Sequence, residues 1–332
     1  MKHFSCDAIK RWFDFFPILS EEEHRFPLAY SMLVHKDVTQ VMMLLSAIYQ
    51  PQNQFCVAVD GNADETFWQV LKAVSHCYPN IRVLVAKRIE WCSYEIIEAI
   101  FGCVMRLAKS TADWKYMQIL SGVDAPLKTN LEMVRILTAL NGSFNTEIAP
   151  FEWYRLNRKR MKDSPLPIIK SSLAATFSRE AAKFMAENKM VQEQFRFLKG
   201  TSCADESLWG TIAGNPGLLP MPGGFDGRDF LWRKYGCINK SRHCLKVTFR
   251  VIGRYYRLSC IYGVDDLPVL VRRSELMAHK LYLDFQPAAF FCLIKFEQLR
   301  NIKFMSLHSI SLCVECRCLE RVINPLWSLN EP

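Results

Sequence analysis

Residues 26–60 read FPLAYSMLVHKDVTQVMMLLSAIYQPQNQFCVAVD, and the order of patterns inside them decides the fold. Phe26 to His35 is an apolar run of strand length. Asp37 follows with Gln40 three residues on, a pairing that can cap a helix, and Val41, Leu44, Leu45 and Ile48 then fall on one helical face. Phe55 to Asp60 is a second strand. Two strands joined through a helix make a crossover unit, so they run parallel, and a parallel sheet needs cover on both faces.

The alternation continues outward from this stretch. Asp64 to His76 repeats the helical face through Phe67, Val70, Leu71 and Val74, and Ile81 to Ala86 is a third strand, apolar on both sides as a buried parallel strand would be. Tyr94 to Ala108 is a helix, Lys115 to Leu120 a strand, and Leu131 to Leu140 a helix stopped by Asn141-Gly142. The expected class is α/β, a mostly parallel twisted sheet flanked by helices. Ligands of such sheets sit at the carboxyl ends of the strands, here near His35, Asp60, Lys87 and Gly122-Val123-Asp124. Beyond residue 150 the pattern loosens into a basic aromatic stretch, a loop from Ser164 to Pro167, a helix from Ser178 to Asn188 and a Gly- and Pro-rich loop from Gly214 to Gly227. Strands near Leu245 to Ile252 and Tyr256 to Tyr262, a helix from Ser274 to Lys280 and a helical tail complete the expectation. This half is expected to finish the site rather than to fold apart.

Composition excludes several classes. Of 332 residues 50% are apolar and 23% charged, which suits a folded protein and not a disordered or fibrous one. No run of 18 apolar residues is present, so no membrane-spanning helix is expected. The net charge of +9 is spread along the chain; its densest cluster, Arg155, Arg158, Lys159, Arg160 and Lys162, reads as a solvated basic face or as a polyanion contact. No zinc-finger or RNA-binding motif accompanies it, which argues against nucleic acid as a partner. Thirteen cysteines suit a large secretory-pathway domain with several bridges, and an odd count leaves one thiol over. The glycosylation triplets Asn141-Gly142-Ser143 and Asn239-Lys240-Ser241 point the same way. Because Met1 to Cys6 carries no signal-peptide pattern, a natural leader absent from this chain is expected.

Neither a Gly-rich phosphate loop nor HExxH occurs, and no Asp-x-Asp offers the carboxylate pair that many nucleotide-sugar enzymes use for a metal. His308, Cys313, Cys316 and Cys318 have metal-like spacing, but a single CxxC without a second pair favours disulfide or thiol roles. The most suggestive stretch is Thr201 to Ile212, TSCADESLWGTI, in which two acids open an apolar helical run. Asp205 can cap that helix. Glu206, ionised and aimed into a cleft, is suited to take a proton from a hydroxyl nucleophile.

The opening stretch, followed in order by WKYMQILSGVDAPLKTNLEMV (114–134), SCADESLWGTI (202–212), RLSCIYGVDDL (257–267) and Ala278-His279-Lys280, resembles the core-2/I-branching β-1,6-N-acetylglucosaminyltransferases, a family that also includes the peptide O-xylosyltransferases. The resemblance implies a single large GT-A-like catalytic domain over residues 26–300, after an N-terminal segment (1–25) that ends a stem and before a C-terminal tail (301–332). It implies inverting, metal-independent transfer from UDP-N-acetylglucosamine to a hydroxyl of an O-glycan, with no cofactor. Glu206 would be the general base, and Arg257 and Lys280 would hold the diphosphate, whose leaving charge needs fixed cations where no metal serves. Val34, His35 and Asp60 are candidates for the uridine pocket, and Trp232 and Tyr235 for the acceptor sugar. Family pairings suggest Cys6 with Cys77, Cys56 with Cys103, and Cys260 with Cys244 or Cys237, while Cys292 would pair with an upstream stem. The implied setting is the Golgi lumen, as a type II membrane protein whose anchor lies outside this chain, with a glycan or glycoprotein acceptor as partner.

Two departures bear on the acceptor. Ser171-Ser172-Leu173-Ala174-Ala175 stands where the family has Gly-Ser-Ala-Tyr-Phe, and Asn145 stands at an acidic acceptor-contact position. They keep open xylosyl transfer from UDP-xylose, or a catalytically silent glycan-binding relative, as alternatives.

Overall fold

Asp37 adopts a left-handed conformation (φ 51°), and its carboxylate accepts a hydrogen bond from the Gln40 amide at 3.1 Å, starting the helix Val38–Ile48. Val41, Leu44, Leu45 and Ile48 are buried along one side of that helix, each contributing about 1.5–3 kcal/mol of burial. The computed structural model describes residues 5–13, 15, 20–157, 161–236, 254–256 and 259–302.

The strands are β1 (Leu28–Val34), β2 (Gln54–Val59), β3 (Ile81–Val85), β4 (Tyr116–Ser121), β5 (Asp124–Pro126), β6 (Asn145–Ala149), β7 (Lys170–Ser178), β8 (Arg254–Tyr256), β9 (Ser259–Ile261) and β10 (Met277–His279). Six form one sheet in the order β3-β2-β1-β4-β7-β6. The first four are parallel, as their helical crossovers require. β7 runs antiparallel to both β4 and β6. The result is the mixed α/β architecture expected, a mostly parallel sheet with helices on both faces.

Side chains alternate between two cores. Tyr116 and Leu120 of β4 face the helices Val38–Ile48 and Asn130–Leu140, whereas Met117 and Ile119 face Tyr94–Ala108 and Leu208–Ala213. Helix Pro287–Ile302 joins the first core through Phe290, Leu293 and Ile294. At the amino edge Asn53 accepts from the Leu28 amide (2.8 Å) and donates to Asn130 (3.0 Å), which donates to Glu23 (2.7 Å). That edge is a satisfied structural network, which leaves the carboxyl edge for chemistry.

Two sequence expectations are corrected, and one strand is added to them. β3 is an edge strand instead of a buried one, and Val85 is 78% exposed, because only β2 pairs with it. Residues 274–280 are not a helix: Met277–His279 pairs antiparallel with β5, and backbone pairing there overrides local helix propensity. The strand β7 was not foreseen, its small residues Ser171 to Ala175 lacking the bulky alternation that signals a strand. The segment Leu245 to Ile252, the triplet at Asn239, Arg158 to Arg160 and His308 to Cys318 lie outside the described residues.

Disulfides Cys6–Cys77 and Cys56–Cys103 form as the family pairings suggest, and a third, Cys92–Cys203, joins residues 111 apart. Cys260 is a free thiol, which corrects its expected pairing; Cys237 and Cys244 lie outside the described residues. Cys292 is disulfide-bonded within this chain and does not await a partner upstream. Among the described residues no helix is long and apolar enough to cross a membrane.

Candidate active site

Two groups of side chains meet the carboxyl edge of the sheet. The first gathers after β1, β2 and β4. The Asp60 amide donates to Val34 O at 2.9 Å, and the Asp60 carboxylate accepts from the amides of Asn62 (2.9 Å) and Ile89 (3.0 Å). Asp60 therefore shapes the turn that receives the loop after β3. Val34 is fully buried, and at Gly122 a Cβ would stand 3.2 Å from both Val34 Cγ1 and Val41 Cγ2, so glycine permits the close approach of the two strand ends. His35 has its pKa lowered, first by desolvation; the Asp60 charge opposes this, and the charges of Lys36 and Lys280 add to it.

Lys280 reaches this neighbourhood from far along the chain. The Tyr262 amide donates to Lys280 O (3.0 Å), the Leu281 amide to Val123 O (2.9 Å), and Gln40 Nε2 to Leu281 O (2.8 Å). These bonds tie residues 279–281 between β9, the 121–125 turn and the first crossover helix. Beside them Asp124 accepts from Ser121 N (2.7 Å) and Ser121 Oγ (2.9 Å) and lies 2.6 Å from His279 Nδ1. Thus His35, Asp60 and Lys280 are brought together, while Arg257 lies outside the described residues.

The second group surrounds Glu206. β6 runs parallel to β4 and ends at this edge, whereas β7 begins there. The chain leaving β6 carries Glu152 and Arg155, and β7 opens with Lys170. Arg155 Nη1 donates to Glu206 Oε2 at 2.7 Å, its Nε pairs with Glu152, and Lys170 Nζ lies 3.0 Å from Glu152 and 3.8 Å from Glu206. Two cations thus face two carboxylates, and 37% of the Glu206 side chain stays open to solvent. The Cys92–Cys203 disulfide and a Cys203 N to Cys92 O bond (3.0 Å) anchor the loop that presents Glu206.

Asp205 does not cap the following helix. It lies in the 3-10 turn Ala204–Glu206, buried, with Oδ1 lacking a hydrogen-bond partner. Burial, reinforced by the Glu206 charge, pushes its pKa up to about 7.

A cleft of about 780 Å³ lies over β4, β7 and β6, lined by Ser121, Asp124, His279, Asn145, Ala174 and Ala175 among others; Glu206 and Lys280 do not line it. The small residues that depart from the family pattern therefore border open space. Trp232 is 75% exposed, and Lys234 Nζ near Ile148 O (3.5 Å) sets its turn by the end of β6; the Tyr235 side chain lies outside the described residues. No group of three or more His, Cys, Asp or Glu disposed to hold a metal occurs among the described residues.

Sequence reasoning missed Arg155, Lys170, Glu152 and the Cys92–Cys203 bridge. Arg155 sat within a cluster read as a solvated basic face, yet its side chain is only 11% exposed. The neighbouring Leu156 is buried in the same turn, so this segment packs against the protein.

Residues 28–252 match the family model described as "Core-2/I-Branching enzyme". The Homo sapiens β-1,3-galactosyl-O-glycosyl-glycoprotein β-1,6-N-acetylglucosaminyltransferase 3 is 31% identical over 91% of this chain and 74% of its own length. Its Ovis aries counterpart is 33% identical over 83% of this chain and 68% of its own. Among solved structures, S. aureus TarS with UDP superimposes with a TM-score of 0.30 at 12% identity, over 53% of this chain and 55% of that one, too slight a likeness to carry a conclusion.

Proposed function

Because the chain belongs to the Core-2/I-branching enzyme family and is a glycosyltransferase, we propose that it transfers N-acetylglucosamine from UDP-N-acetylglucosamine to a hydroxyl of a β-1,3-galactosyl O-glycan, forming a β-1,6 branch. The acceptor oxygen loses its proton to Glu206 as it attacks the anomeric carbon from the face opposite the diphosphate. UDP departs, and the configuration inverts. Lys280, with Arg257 as its expected partner, compensates the charge that develops on the leaving diphosphate, in the role a divalent cation plays elsewhere. His35 and Asp60 border the nucleotide.

The observation that carries this reading is Glu206 at the carboxyl edge of the sheet, held by Arg155 at 2.7 Å while still open on one side. A base must be oriented yet reachable, and this one is both. The disulfides support an oxidising compartment, and the Golgi lumen is the setting we propose.

Recombinant protein incubated with labelled UDP-N-acetylglucosamine, UDP-xylose and a β-1,3-galactosyl O-glycan disaccharide tests the proposal. The expected product is a β-1,6-linked trisaccharide whose yield is unchanged by chelator. Label incorporated from UDP-xylose alone, or a product of α configuration, would overturn it.

A further inference from the structure

Resting on the reading that the chain matures in an oxidising secretory compartment, we propose that Asn141 is itself a modification site and carries an N-linked oligosaccharide at the edge of the sheet opposite Glu206.

The triplet Asn141-Gly142-Ser143 meets the acceptor rule for such a glycan, an asparagine two residues before a hydroxyl with no proline between. The fold supplies what the triplet alone lacks. Asn141 ends the helix Asn130–Leu140 in the left-handed conformation (φ 46°), and Gly142 follows with φ 86°. The turn they make is held through its backbone: the Asn141 amide donates to Thr138 O (3.1 Å), the Ser143 amide donates to Leu140 O (2.9 Å), and Ser143 O accepts from the Tyr116 hydroxyl (3.2 Å). The two side chains that glycan transfer needs are the two this turn does not use. Asn141 and Ser143 are both exposed, and neither side chain makes a hydrogen bond among the described residues.

Asparagines elsewhere are put to structural use. Asn53 accepts from the Leu28 amide, Asn188 caps its helix, and Asn80, Asn157 and Asn215 hold backbone carbonyls. Turn chemistry explains a left-handed residue at 141, which glycine would satisfy as well. It does not explain an idle amide and an idle hydroxyl two residues apart.

Space and position suit a bulky group. A Cβ at Gly142 would meet nothing within 4 Å, so the centre of the triplet borders open solvent. β6 begins at Asn145, and its five residues put roughly 15 Å between the amino edge and the edge where Glu206 and Lys280 stand. The glycan therefore stands clear of the sugar-transfer chemistry.

In the modification Asn141 Nδ2 bonds to the anomeric carbon of the first N-acetylglucosamine of a lipid-linked pyrophosphate oligosaccharide. The bond from that carbon to the pyrophosphate oxygen breaks, the lipid pyrophosphate leaves with the electron pair, and the amide proton passes to a base of the transferring enzyme. The folded chain has only to leave the modified amide in solvent, which it does.

The test uses the whole chain, secreted from cultured animal cells behind a cleavable leader, as N239Q, N239Q/N141G and N239Q/S143A. N239Q removes the other triplet, N141G keeps the left-handed cap, and S143A leaves Asn141 in place. Mass spectrometry of peptides before and after peptide N-glycosidase reads the site, and transfer of labelled N-acetylglucosamine to the β-1,3-galactosyl O-glycan disaccharide reads activity. N239Q is expected to carry one glycan, on the Asn141 peptide, both double variants none, and all three to transfer sugar within twofold of one another. An unmodified Asn141 peptide in secreted, active N239Q overturns the glycan and leaves the proposed function standing. A glycosylated Asn141 in protein that transfers no sugar keeps the glycan and removes the enzymatic reading. Transfer that drops more than tenfold in both double variants overturns the placement of the glycan away from the chemistry.

Discussion

Nη1 of Arg155 stands 2.7 Å from Oε2 of Glu206, across 51 residues of sequence, while the same guanidinium pairs through Nε with Glu152. One planar group therefore sets the position of the candidate base and couples it to the chain leaving β6. A point charge could supply the attraction but not the fork.

Arg155→Ala is accordingly expected to lower kcat about 10- to 100-fold with donor KM unchanged, and to destabilise the fold by about 1–2 kcal/mol through the lost charged hydrogen bonds. Arg155→Lys should recover the stability better than the rate. Steady-state kinetics and urea unfolding check both. An unaltered kcat in Arg155→Ala would show that Glu206 needs no such support.

Glu206→Gln keeps the shape of the side chain and removes its capacity to accept a proton. Loss of a general base costs roughly 10²–10⁴ in rate, so kcat should fall by that range while UDP binding, measured by calorimetry, stays within twofold. Turnover near the wild-type level would remove Glu206 from the mechanism.

Asp205 makes stability depend on pH in a specific direction. Its pKa rises on folding from an ordinary 3.8 to about 7, chiefly through burial. Between these values the folded chain holds a proton that the unfolded chain has released, so stability falls as pH rises from about 4 to about 7 and then levels. Asp205→Asn abolishes this titration and should be more stable than wild type at pH 8, on the order of a few kcal/mol, with the gap closing toward pH 4. Thermal melts at both pH values decide it; a gap that does not vary with pH contradicts the buried neutral acid.

Removing the Cys92–Cys203 bridge frees a loop of 111 residues and detaches the Glu206 turn from the start of helix Tyr94–Ala108. The double serine variant should lose about 2–5 kcal/mol, and its kcat should fall further than its donor affinity. Denaturant unfolding with parallel kinetics would reveal the opposite if the bridge were incidental.

The parallel half of the fold was legible in the sequence because each of its elements carries its own period. Asp37, Asp64 and Asn141 mark helix ends by local chemistry, and the apolar runs between them need both faces covered. Glu206 stood out as an acid at the head of an apolar run, and His35, Asp60 and Lys280 proved to be neighbours. What stayed hidden depends on pairing at a distance. Lys170 is an ordinary lysine until β7 reverses direction, Arg155 one of several in a basic cluster until it meets Glu206, and Met277–His279 helix-like until β5 offers a partner. Which cysteine meets Cys203 is likewise a matter of where two loops arrive.

The reversed course of β7 has a consequence for how such a protein can diverge. Strands that all point one way reach their working rim only by departing loops, but β7 approaches from that rim, so the connector from β6 both leaves and returns there. Its length and chemistry could drift without shifting a single pairing of β1, β2 or β4. Taste for the sugar being modified and grip on the nucleotide could therefore evolve on separate ledges of one sheet.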